Sequence, residues 1–266
     1  MRDVVITHIG GPTALIEIGG WRILTDPTFD PAGGDYKFGW GTGSRKTAGP
    51  AIAAADLGEF HAVLLTHDHH GDNLDPAGRE LLPGADVVVT TVPGARRLGG
   101  NARGLAPWAS TELTAAGRPA IEVTATPCRH GPPLTRPIVG DVVGFALAWE
   151  GQSDGVLWIT GDTVLYPGVR EVPQRIRVDT MLLHLGDVHF PVTGPLHYTM
   201  CAQEGIELCG LVGARTAIPI HYEGWSHFKE GRAAIERELE GAPAAVRESI
   251  RWLEIGVPTA LEAPPA

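Results

Sequence analysis

The sequence predicts a mixed α/β fold: two packed β-sheets flanked by helices, in one domain over residues 1–266. Short apolar runs rich in Val, Ile and Leu recur along the whole chain, and they are too short to be helices. Helical patterns lie between those runs rather than in a block at one end. The 35 glycines and 22 prolines supply the turns that such a fold needs.

The elements follow in order. Residues 4–9, 14–18 and 21–25 read as strands separated by Gly10-Gly11-Pro12 and Gly19-Gly20, which predicts an antiparallel meander. Residues 30–59 show no period and read as a long loop, either solvated surface or a lid over a site. Residues 62–65 form a buried strand. A short helix follows, with Asp75 as N-cap, Pro76 at its first position and Pro83-Gly84 as its stop. Further strands are expected over 86–91, 121–126, 142–150, 156–160, 180–185, 216–220 and 250–255. Helices are expected over 200–212, capped by Thr199, and over 229–240, which is amphipathic.

Lys plus Arg number 21 and Asp plus Glu 31, a formal charge of −10, which argues against a nucleic-acid binder that works by neutralising phosphates. The three cysteines, Cys128, Cys201 and Cys209, have no paired spacing and give no disulfide framework. No apolar run reaches the roughly 18 residues of a membrane span. Met1-Arg2-Asp3 does not begin a signal peptide, so a cytoplasmic protein without stable membrane association is expected. A homo-oligomer is compatible with the sequence.

Four polar clusters sit directly after predicted strands: His67/His69/His70/Asp72, His130, Asp162 and His221. Strand ends along one sheet edge bring sequence-distant side chains together. Imidazole with carboxylate is the donor set of zinc or manganese. Of the eleven histidines, His8, His61, His184, His189, His197 and His227 stand alone and read as structural or exposed. Three histidines and two aspartates within residues 67–72 do not read as solvated surface.

The run Thr66-His67-Asp68-His69-His70-Gly71-Asp72-Asn73-Leu74-Asp75 resembles the signature loop of the metallo-β-lactamase superfamily. His130, Thr160-Gly161-Asp162-Thr163 and Ile218-Pro219-Ile220-His221-Tyr222 follow in that family's order, so the resemblance covers nearly the whole chain. Within the superfamily it is most similar to the ascorbate-6-phosphate lactonase and N-acyl-phosphatidylethanolamine phospholipase D-like branch, on Leu24-Thr25-Asp26-Pro27 and the long segment 185–200. The resemblance implies a four-layer αββα sandwich with the site along one edge of the two sheets. It implies one or two ions, Zn2+ or Mn2+. His67, His69 and His130 would hold the first; Asp72, Asp162 and His221 the second, with Asp162 bridging. Here one residue is inserted before the acid, so His70 is the alternative to His69. Asn73 stands where the family loop has its last histidine, leaving the second ion weak, absent or completed by another group such as Asp26.

The implied chemistry is metal-assisted hydrolysis by a water whose pKa is lowered to roughly 7. Asp72 either orients that water or serves purely as a ligand, and His189 or His197 is the expected proton donor to the leaving group. Asp68 and Asp75 are candidates to support the ligands, with Asp68 equally readable as a surface residue of the loop. The substrate expected is a small molecule, a lactone or a phosphoester. Lys37, Arg45, Lys46 and Arg129 are candidates for binding an anionic group, and Tyr36, Trp40, Phe190 and Trp225 for pocket walls. The alternatives are a lipid phosphodiesterase and a degenerate member that binds metal without turnover.

Overall fold

The computed structural model describes residues 4–133, 139–152 and 154–261. The chain begins with the expected meander, β1 (Val4–Gly10), β2 (Thr13–Ile18) and β3 (Trp21–Thr25). It continues through β4 (Asp35–Gly39), β5 (Thr42–Arg45), β6 (Ala62–Leu64), α1 (Pro76–Leu81), β7 (Val87–Thr91), α2 (Val92–Leu98), β8 (Ala102–Leu105) and β9 (Ser110–Leu113). Then come β10 (Ile121–Pro127), β11 (Val143–Trp149), β12 (Val156–Ile159), α3 (Pro167–Arg175) and β13 (Val178–His184). The last elements are α4 (Ala202–Val212), β14 (Thr216–Ile220), α5 (Arg232–Glu240), α6 (Ala244–Ser249) and β15 (Thr259–Leu261).

These strands build a seven-stranded sheet, β15-β1-β2-β3-β6-β7-β8, and a six-stranded sheet, β14-β13-β12-β11-β10-β9. Side-chain alternation sorts three layers of core. Ile6, Ile16, Ile18, Ile23 and Leu64 of the first sheet meet Val123, Phe145, Leu147, Ile159 and Ile218 of the second. Leu15, Leu24, Val63 and Val88 point the other way and pack with Phe29, Leu74 and Leu82. Trp158, Met181 and Ala217 cover the outer face of the second sheet together with Val169 and Val172 of α3, Leu208 of α4 and Ile235 of α5. This is the αββα layering expected. Each fully buried Leu, Ile or Phe side chain contributes roughly 1.5–3 kcal/mol, so the sandwich core is ample to hold the strand ends in register.

Three expectations are corrected. Residues 30–59 are not all loop: β4 and β5 form an antiparallel hairpin, unread because Gly39, Gly41 and Gly43 hide its alternation. Residues 250–255 make no strand; Ile250 bridges once to Ala217, and β15 is the strand that closes the first sheet. Thr199 does not cap α4, whose N-cap is Cys201; the Thr199 hydroxyl accepts from the Val188 N–H at 3.0 Å. Asp75, by contrast, caps α1 as expected, accepting from Gly78 N at 2.8 Å. No helix among the described residues is long and apolar enough to cross a membrane.

Candidate metal centre

The ends of β3, β6, β10, β12, β13 and β14 deliver Asp26, His67, His130, Asp162, His184 and His221, all buried, to one edge of the sandwich. Two groups of ligand atoms converge there: His67, His70 and His130, and Asp72, Asp162 and His221. The site therefore contains six of the seven residues expected to hold metal. The exception is His69, the simpler assignment for the first group. It is exposed, its Nδ1 lies 3.7 Å from Asp68 Oδ1, and Gly140 packs against its ring so closely that a Cβ there would overlap it. The inserted residue thus sits between His67 and His70, and the turn His70 O to Leu74 N at 2.9 Å points His70 inward.

In the first group His67 Nε2 and His130 Nε2 each lie 3.2 Å from His70 Nδ1. Hydrogen bonds behind the rings fix the tautomers. His130 Nδ1 donates to the Tyr198 carbonyl at 2.8 Å. His67 Nδ1 lies 3.0 Å from Thr66 Oγ1, which donates in turn to Asp26 Oδ1 at 3.0 Å, and the Thr66 N–H donates to the same oxygen at 2.7 Å. His70 Nδ1 carries at most one proton and faces two ring nitrogens at the same distance. A cation at their meeting point suits all three nitrogens. Burial pushes all three imidazoles down, His70 to about 4 and His130 to about 3, so they are neutral and ready as ligands at pH 7.

The second group has more unmet need. Asp72 Oδ1, both Asp162 oxygens and both His221 ring nitrogens are buried without a hydrogen-bond partner. Leaving such groups unpaired costs about 1–3 kcal/mol each, more for charged ones. Burial pushes the Asp162 carboxyl well up, with the Asp72 and Asp26 charges adding to it. Burial also pushes Asp72 up, but the His221 and His227 imidazoles outweigh it and hold that carboxyl well below the usual range. His221 itself sits at φ 58, and its N–H donates to Gly11 O at 2.9 Å. Gly161, at φ 68, lets the chain turn into Asp162; a Cβ there would meet Val143 O at 2.8 Å. The residues fit divalent metal in both groups.

Two histidines read from the sequence as structural or exposed, together with Asn73, complete the picture. His227 Nε2 is 3.0 Å from Asp72 Oδ2, and its Nδ1 lies 2.5 Å from Ser44 Oγ. Phe190 stacks on its ring at 5.8 Å. His184 Nε2 lies 3.6 Å from Asp26 Oδ2, and neither atom has a hydrogen-bond partner. Asn73 Nδ2 donates weakly to Thr66 Oγ1 at 3.5 Å, while its Oδ1 is unpartnered. The position of His227, six residues past His221 in the same strand-end segment, was the available signal.

Supporting roles also move. Asp68 pairs with Arg97, and Asp75 accepts from Phe29 N, Asp30 N and Lys46 Nζ, so both brace the loop without touching a central imidazole. His189 and His197, the expected proton donors, do not line the cavity over this centre: strand-like alternation turns Val188, Phe190 and Tyr198 into it and sends the two histidines to the opposite face.

A cavity of about 220 Å³ opens above the centre, with His70, Asp72 and His130 at its floor and Phe38, Trp40, Val139, Val188, Phe190 and Tyr198 among its walls. The β4–β5 hairpin supplies Phe38, Trp40 and Thr42, so the segment read as loop or lid is a wall. Tyr36 and Trp225 pack on each other at 4.8 Å outside it. Of the four basic residues, Lys46 is buried against Asp75, Arg45 pairs with Asp35, Lys37 is exposed, and Arg129 lines an adjoining cavity of about 650 Å³ that His130 and Val139 also line.

Residues 21–222 match the beta-lactamase superfamily domain family, and the chain belongs to that family. A UPF0173 metal-dependent hydrolase of Herpetosiphon aurantiacus is 26% identical over 250 residues, 90% of this chain and 91% of the relative. Another, of Opitutus terrae, is 25% identical over 264 residues, 94% of this chain and 99% of the relative. Among solved structures, the isothiocyanate hydrolase from Delia radicum gut bacteria superposes with a TM-score of 0.79 at 20% identity, over 97% of this chain and all of that one. A possible metal-dependent hydrolase from Veillonella parvula gives 0.77 at 18% identity, over 97% and 99%. These likenesses establish the fold.

Proposed function

We propose that this chain is a metal-dependent hydrolase of small, neutral, largely apolar substrates, with a lactone or related carboxylic ester favoured over a phosphoester. The observation that carries this reading is the cavity: its floor is metal-ligand chemistry, its walls are mostly apolar, and no lysine or arginine lines it among the described residues. At about 220 Å³ it is below the roughly 300–1,000 Å³ of drug-sized sites, so the reacting part of the substrate is small. The relatives' shared description as metal-dependent hydrolases supports the reaction class.

His67, His70 and His130 would hold one ion, with zinc suited to three imidazoles. Asp72, Asp162 and His221 would hold a second, with His227 supplying the imidazole that Asn73 lacks. Such ions supply Lewis acidity and bring the pKa of water to roughly 7. The chain's own residues do the rest. Thr66, Asp26 and the Tyr198 carbonyl keep the ring lone pairs aimed inward. Phe38, Phe190 and Tyr198 exclude bulk water and orient an apolar substrate against the floor.

The test is hydrolysis by zinc-loaded protein of a panel of neutral lactones and esters beside phosphodiesters of matched size. Higher kcat/KM for the neutral esters, lost with chelation and restored by zinc, supports the reading; preference for phosphodiesters overturns the substrate class. A second reading, a lipid phosphodiesterase, rests on Trp40 and Val192, which are 78% and 62% exposed at the cavity rim. Faster turnover of a phosphodiester lipid in vesicles than of any soluble substrate would favour it.

A further inference from the structure

We propose that Asp187, His189 and His197 form a separate zinc site on the outer face of the segment that walls the cavity. Their ligand atoms all lie within 4.8 Å of one another: His189 Nε2 is 2.9 Å and His197 Nδ1 is 3.3 Å from Asp187 Oδ1. Two imidazoles and a carboxylate are a borderline-cation donor set, and the site is half-exposed, leaving a fourth position to solvent. Behind it, Glu204 on α4 places Oε1 3.6 Å from His197 Nε2, the nitrogen not aimed at Asp187. A carboxylate on the far nitrogen of an imidazole is the arrangement that orients metal-binding histidines. Asp187 sits at φ 49, in the left-handed region that Asp adopts more readily than most residues other than glycine.

The site staples a hairpin. Residues 187–190 and 197–200 run antiparallel, with His189 and His197 bridged, Tyr198 N donating to Val188 O at 3.0 Å and Asp187 N to Met200 O at 3.2 Å. The other face of the same hairpin carries Val188, Phe190 and Tyr198 into the cavity, and the Tyr198 carbonyl accepts from His130. An ion clamping both strands therefore stiffens the apolar wall and the support of the third central imidazole together. Three ordinary ion pairs, Asp187–His189, Asp187–His197 and Glu204–His197, are the competing account of the same contacts, and they bind no zinc.

The proposal does not depend on the buried centre. Protein stripped of metal is titrated with zinc, and bound zinc per chain is counted. Wild type should take up one ion more than His189→Ala/His197→Ala. The variant His67→Ala/His130→Ala should lose zinc from the buried centre and keep the hairpin ion. Equal uptake by wild type and the His189→Ala/His197→Ala variant overturns the proposal. Crystals of wild-type protein soaked in zinc give an answer that needs no variant: anomalous density between the three side chains is expected, and its absence there overturns the site.

Discussion

The two halves of the buried centre are built on opposite principles. In the His67/His70/His130 half, the outer nitrogens of His67 and His130 are already held by Thr66 and the Tyr198 carbonyl, so the protein sets the geometry itself. In the Asp72/Asp162/His221 half, five side-chain atoms are buried without a hydrogen-bond partner, His221 Nδ1 facing Asp162 Oδ1 at 3.3 Å, and the family's last loop histidine is Asn73. The first half is preorganised for an ion; the second would need one to satisfy its buried atoms. A site of this kind should bind its two ions with different affinity, the imidazole half filling first.

The largest expected effect separates His70 from its neighbour. His70→Ala should lower hydrolysis roughly a thousandfold and remove one ion. His69→Ala should stay within about threefold, because His69 is exposed and outside the convergent group. Steady-state rates with metal counts decide it, and comparable damage from the two would return the ligand role to His69.

The next effect tests the compensated half. His227→Ala should weaken the second ion about 10- to 100-fold while leaving the first in place. Adding Asn73→His to that variant should recover affinity, since the imidazole returns at the loop position. Competitive zinc titration measures both. Unchanged affinity in His227→Ala would mean that Asp72, Asp162 and His221 suffice alone.

Much of this was legible in the sequence. Glycine turns and apolar runs gave β1, β2, β3, β10 and β14 within a residue or so at each end, because burial on one or both faces forces the pattern. The ligands that follow strands were legible for the same reason, since a strand end has one place to deliver its next residue. Three things were not. The inserted residue left His69 and His70 equivalent until a turn had chosen between them. His227 looked like an isolated histidine, because its relation to Asp72 is made by folding. His189 and His197 looked like acids for the centre, and only the alternation of a hairpin shows that they face outward.

The smallest effect sharpens the contrast through pH. In the metal-free protein, burial pushes His70 to about 4 and His130 to about 3, against 6.5 when unfolded. Between those values the unfolded chain holds protons that the folded chain does not, so the imidazole half loses stability as pH falls. Asp26, behind His67, responds in the other sense. Burial raises it to about 7 against 3.8, despite the hydrogen bonds from Thr66, so the folded chain holds the extra proton and gains stability as pH falls from 7 toward 4. Asp26→Asn keeps an acceptor for Thr66 and removes that gain. Denaturant melts of the metal-free proteins at pH 7 and pH 5 should therefore show the variant losing about 1–2 kcal/mol more than wild type over that interval. An equal loss in both would mean that Asp26 is ionised throughout, and that the hydrogen bonds from Thr66, rather than burial, set its charge.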